Sequence, residues 1–150
     1  MKRRFLLLVP LSLASLPLFG ARAAAPDSIK FGDITIIHPW AAPSVSDVAA
    51  LFLGLRNDGP RPDRLIAVST PIADPVIFRA HDGTPLEYYD LLPKRPVNLR
   101  PGRRYIALRN LKAPLALDDT FALTLRFAEA GTITINAVVE AGPEDDGTNG

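Results

Sequence analysis

The residues best suited to chemistry lie in one short stretch, "VIFRAHDGTPLEYYDLL", Val76 to Leu92. It carries His81, one of only two histidines in the chain, with Asp82, Glu87, Tyr88 and Tyr89 close behind. An imidazole, a carboxylate and a phenol on neighbouring strands suit a borderline divalent ion such as Cu(II) or Zn(II). His81 opens an Asp-Gly turn, so residues after the turn fold back beside the strand before it. Strand alternation puts Arg79 and His81 on one face, and Leu86 and Tyr88 likewise on a shared face. Arg79 brings a permanent positive charge to the face of His81, which opposes cation binding. A soft Cu(I) site calls for thiolate or thioether ligands. The chain has no cysteine, and its single methionine is Met1. The competing reading is a surface histidine beside a turn, because one imidazole is weak ground for a site that needs several ligands.

Other constellations are poorer. His38 precedes Pro39 and Trp40, the only tryptophan. Trp40 reads as a core or rim anchor and His38 as a strand-end residue that bonds locally. Ser44, Ser46 and Ser69 sit near turns, and no G-x-S-x-G elbow frames any serine. Asp118-Asp119 and Asp145-Asp146 read as solvated loop residues, and no Gly-rich phosphate loop is present. Nothing in the sequence argues for an enzyme. In "PGRRYIALRNLK", Ile106 and Leu108 alternate with Tyr105, Ala107 and Arg109, which predicts a strand with one apolar face. Arg100, Arg103, Arg104, Arg109 and Lys112 form a basic cluster suited to an acidic protein partner.

The elements that would position these residues are strands. "IKFGDITIIH", "VAALFLGLRN", "RLIAVST", "PVIFRAH", "LEYYDL", "RRYIALRNL", "FALTLRF" and "GTITINAVV" are alternating or apolar runs broken by Pro, Gly, Asn and Asp. Eight or nine strands at spacings near ten residues predict an all-β antiparallel sandwich or barrel. No longer window has a convincing helical period; "APSVSDVAALF" offers at most one helical turn capped by Ser44 or Ser46. The ends lie outside this domain. Residues 1–25 read as a secretory signal: a basic start (Lys2, Arg3, Arg4), an apolar run too short to span a bilayer, and small residues that place cleavage near Ala23–Ala25. "RRFLL" also loosely fits a twin-arginine signal, with the ordinary secretory route as the default. The protein is therefore expected in the periplasm. Removing Lys2, Arg3, Arg4 and Arg22 leaves 13 basic against 16 acidic residues, a net charge of −3, and nothing in the mature chain resembles a nucleic-acid footprint. Residues 26–140 make one domain, and 141–150 an acidic, Gly/Pro-rich tail expected to be disordered. No stretch of the mature chain is long enough to be a transmembrane segment.

"ITIIHPWAAPS", "AALFLGLRNDGPRPDRLIAVSTPIADPV" and "LRPGRRYIALRNLKAPLALDDTFALTLRFAEAGTITINAVV" resemble the periplasmic copper chaperones of the PCuAC family, over roughly Ile29 to Val139. The most specific parts are the "HPWA" opening, the N-D-G-x-x-P-D-R-L segment and the L-K-x-P-L…D-D-T…L-T-L-x-F…A-G-T-I-T ending. The resemblance implies a cupredoxin-like Greek-key β-sandwich. It also implies a function: binding copper, mainly Cu(I), and passing it toward cytochrome oxidase, with oxidase assembly supplying the partner. The family's ligands are a His, a Met some ten residues on, and a later His-x-Met. Here the first His falls on Arg79, the Met in the region Leu86 to Tyr88, and the His-x-Met on Tyr105-Ile106-Ala107. None of the four positions keeps its ligand, so the standard Cu(I) site is expected to be degenerate. A shifted site using His81 with Glu87 or Tyr105 would be better suited to Cu(II) or Zn(II). The alternative is a protein-interaction module on the same fold that binds no metal.

Overall fold

A computed structural model describes residues 27–142; the expected signal segment and nearly all of the expected tail lie outside the described residues. The described chain is all β. Its strands are β1 (Ser28–Phe31), β2 (Ile34–Ala41), β3 (Val48–Asn57), β4 (Asp63–Ser69), β5 (Val76–Arg79), β6 (Pro85–Leu86), β7 (Tyr89–Leu91), β8 (Val97–Asn98), β9 (Tyr105–Arg109), β10 (Thr120–Phe127) and β11 (Gly131–Val139). The count is eleven rather than eight or nine. The expected "LEYYDL" strand is broken into β6 and β7, and the short β1 and β8 pair with β2 and β3.

Hydrogen bonding runs in the order β6-β5-β9-β3-β2-β11-β10-β4-β7. Every pairing is antiparallel except that of β11 with β2. The run bends back until its ends approach, and Asn57 at the end of β3 bridges to Pro93 just past β7. The result is a nearly closed sandwich with few free edges. Alternation supplies the core. Ile34 and Ile36, Leu51, Leu53 and Leu55, Ile106 and Leu108, and Leu123 and Leu125 turn inward and are essentially inaccessible to water. Burial of each such side chain contributes about 1.5–3 kcal/mol of transfer free energy.

β2 changes partners at its middle. His38 takes a left-handed backbone (φ 43°), and the pairing with β3 slips between Ile37 and Trp40. A bulge of this kind bends a strand and re-aims the residues beyond it. Past the bulge, Trp40 lies against Phe52, ring centroids 4.7 Å apart, and Val138 and Val139 of β11 join alongside. His38 is therefore not a strand-end residue with a local bond. It sits inside β2, and its Nε2 lies 2.9 Å from the Glu140 carboxylate, 102 residues away. No helical turn forms at Ser44–Ser46. The Ser44 and Ser46 hydroxyls instead donate to the Val48 carbonyl, at 2.6 and 3.1 Å, and tighten the entry into β3.

Candidate functional site

Strands β5, β9 and β3 lie side by side, and their register decides what meets on their outer face. Arg79 is paired with Tyr105, Ile77 with Ala107, and Ala107 in turn with Ala50. Inward-facing Phe78, Ile106 and Leu108 are buried, so Arg79, Tyr105, Ala107 and Arg109 share the opposite face. They line a cavity of about 430 Å³ with Val48, Ala49 and Ala50 of β3 and the segment Ala42–Ser44. Three positions that the resemblance equates with ligands, Arg79, Tyr105 and Ala107, thus come together in one concavity. They bring a guanidinium, a phenol and a methyl group.

The remaining positions go elsewhere. Leu86 pairs beside Phe78 and rests against the core. Leu86, Glu87 and Tyr88 line a second cavity of about 470 Å³ with Asp90 and Arg104. There the Arg64 guanidinium lies 4.2 Å from the Tyr88 ring centre and bonds Asp90 at 3.0 Å. Glu87 and Tyr105 therefore line different concavities. β5 ends at Arg79, so strand alternation does not carry through to His81. His81 is exposed in the turn, which is closed by Ala80 N–H to Thr84 O at 2.8 Å and by Gly83 in a left-handed conformation (φ 85°). The neighbouring Asp82 is held below the usual carboxylate range, first by the Thr84 backbone N–H and then by the Thr84 side chain, with a smaller contribution from His81. Its carboxylate is thus engaged within the turn, accepting from Thr84 N–H at 3.0 Å. Among the described residues, no three His, Asp or Glu side chains converge as a metal-binding group.

Tyr89 stood in the sequence only as a neighbour of His81, with no role of its own. It is 1 % exposed, and its ring lies 5.0 Å from that of Phe78. Its hydroxyl accepts from Arg79 N–H at 3.1 Å and lies 2.6 Å from the Tyr105 carbonyl and 2.9 Å from the Arg79 carbonyl, to either of which it can donate. The phenol thus ties β7 to the very pair that faces the cavity. Burial pushes its pKa up to about 12, although the Arg79 backbone bond and nearby Arg104 pull the other way. Arg79 is further fixed by Nη1 donating to Gly83 O at 3.0 Å. Two adjacent tyrosines in "EYYDL" were the available signal, but only the break between β6 and β7 decides which one points inward.

The specific "N-D-G-x-x-P-D-R-L" segment proves to be structural. Buried Asn57 donates to Arg61 O and Leu91 O and accepts from Gly59 N–H. A side chain at Gly59 would collide with the Asp33 carboxylate. Buried Asp63 accepts from the Arg64, Glu129 and Ala130 amides, so it holds the turn between β10 and β11 against β4.

This strand order, closed around one apolar core with a concave β5–β9–β3 face, defines the chain as a cupredoxin-like β-sandwich of the PCuAC kind. The LpqE-like family matches residues 34–139, and the chain belongs to that PCuAC-related family. It is similar to the copper-bound PCuAC domain from PmoF2, with 30 % identity over 76 % of this chain and 97 % of that one and a TM-score of 0.71. It is also similar to the apo PCuAC domain from PmoF1, with 28 % identity over 76 % and 98 % and a TM-score of 0.70. The Cu(I) form of DR1885 from Deinococcus radiodurans shares the fold, at 21 % identity over 80 % and 83 % with a TM-score of 0.56. No curated protein matches the chain by sequence. The family is thus related to domains of which one is solved with copper bound. No helix among the described residues is long and apolar enough to cross a membrane.

Proposed function

We propose that this protein works in the periplasm, in copper handling toward cytochrome oxidase, as a PCuAC-type protein that does not hold Cu(I) through the family's ligand set. The observation that carries this reading is the register of β5 on β9. Arg79 stands opposite Tyr105 with Ala107 on the same face, so three of the positions equated with ligands are gathered but offer no imidazole or thioether. A guanidinium remains charged at any physiological pH and cannot coordinate a cation. Soft Cu(I) also finds no cysteine and no methionine beyond Met1 anywhere in the chain. The protein would then act through its surface, with the exposed Arg100, Arg103, Arg104, Arg109 and Lys112 meeting an acidic partner in oxidase assembly.

A rebuilt Cu(II) or Zn(II) site at His81 with Glu87 or Tyr105 is the competing reading. The two separate cavities and the turn position of His81 weigh against it. Titration of the protein with Cu(II) and Zn(II) under a competing chelator, beside His81→Ala, separates the two. The proposal predicts no stoichiometric binding in either protein. Stoichiometric Cu(II) binding that disappears in His81→Ala would establish the rebuilt site instead.

A further inference from the structure

The β5–β9–β3 cavity has a composition that excludes a cation and selects something else. Its floor is Ala50 and Ala107, paired across β3 and β9, with half-exposed Val48 at the rim. Arg79 and Arg109 line it from two sides, and none of its lining residues is acidic. Among the described residues the ion pairs are His38–Glu140, Arg56–Asp58 and Arg64–Asp90, so neither cavity arginine has a carboxylate partner. One nitrogen of Arg79 is used on Gly83 O, which orients the guanidinium and leaves the rest of its fork free. The Tyr105 hydroxyl has no hydrogen-bond partner among the described residues and adds a neutral donor at the same end. The second cavity differs, because there Glu87 and Asp90 already accompany Arg104.

We infer that this cavity is a binding site for a small organic carboxylate with an apolar body. Arginine forks recognise carboxylates in two-point geometry. An apolar floor with a few convergent donors is the ordinary make-up of a small-ligand pocket, and the volume falls in that range. Uncompensated positive charge in a concavity also draws anions in. The carboxylate would lie against Arg79 and Tyr105 or against Arg109, with its hydrocarbon part over Ala50 and Ala107. This site occupies the same face as the positions equated with copper ligands but does not depend on the copper reading. Cu(I) binding by the protein would overturn that reading and leave the carboxylate titration to stand or fall separately.

The test is an NMR titration of the full chain in metal-free, carboxylate-free buffer. The probes are hexanoate and benzoate, with hexanamide and benzamide as uncharged controls of the same shape. Saturable amide shifts centred on Ala50, Arg79 and Ala107 are expected with the two acids and not with the amides. Arg79→Gln with Arg109→Gln should weaken the acids at least about tenfold while spectra away from the cavity stay unchanged. Equal binding of acid and amide would overturn the inference. So would shifts centred elsewhere, undiminished binding in the double variant, or no saturation by about 10 mM.

Discussion

Arg79 and Tyr105 are held face to face by the Tyr89 hydroxyl, which reaches the backbone of both. Tyr89→Phe should therefore lower unfolding free energy by about 1–3 kcal/mol in urea, because it strips a partner from buried backbone groups. The same phenol predicts an alkaline effect of definite sign. Its folded pKa is raised from 10.0 to about 12, chiefly by burial. The neutral form thus contributes stability that is fully present below pH 10 and is lost as pH rises toward 12. Melting temperature should fall more steeply over that window in the wild type than in Tyr89→Phe, and parallel curves would remove the phenol as the cause. At this scale the sequence was partly legible. Alternation foretold that Tyr105, Ala107 and Arg109 share a face, and they do. It misplaced His81 because β5 stops at Arg79, and a stop set by turn hydrogen bonds is invisible to a period-two pattern.

Turns, more than strands, carry the element-scale specificity. The segment from Asn57 to Asp63 has the composition of a turn, yet its two buried polar side chains bind backbone from β7 and from the β10–β11 turn. Asp63→Ala should cost about 2–4 kcal/mol, since it leaves the Glu129 and Ala130 amides without an acceptor. Denaturant unfolding would measure this, and a loss below about 0.5 kcal/mol would show that water replaces the carboxylate. Asp58 in the same turn is held down to about 2 from 3.8, first by its hydrogen bond from Arg56 and next by that from Thr35. A depressed carboxylate contributes stability that is present above about pH 4 and is lost as pH falls toward 2. The wild type should accordingly show a steeper acid loss of melting temperature than Asp58→Asn across that window. Contacts spanning dozens of residues explain why this role was illegible in sequence: a local reading sees Asn, Asp and Gly as turn formers and not as anchors for distant strands.

The whole molecule was the most legible scale, because alternating apolar residues in eight long segments leave few alternatives to a closed β-sandwich. What alternation could not supply was the order of strands, the break between β6 and β7, or the bulge at His38 that lets β2 serve both β1 and β11. That order is what gathers Arg79, Tyr105 and Ala107, residues up to 28 positions apart in sequence, into one concavity. We propose that this concavity stands where the family's copper ligands are expected and lacks them. This claim is tested most directly by Cu(I) competition against a chromogenic chelator, comparing the wild type with the triple variant Arg79→His, Tyr105→His, Ala107→Met. The wild type is expected to leave the chelator complex intact. The variant is expected to withdraw one Cu(I) per chain, since two imidazoles and a thioether then share the cavity. Stoichiometric Cu(I) uptake by the wild type, or none by a folded variant, would contradict the claim.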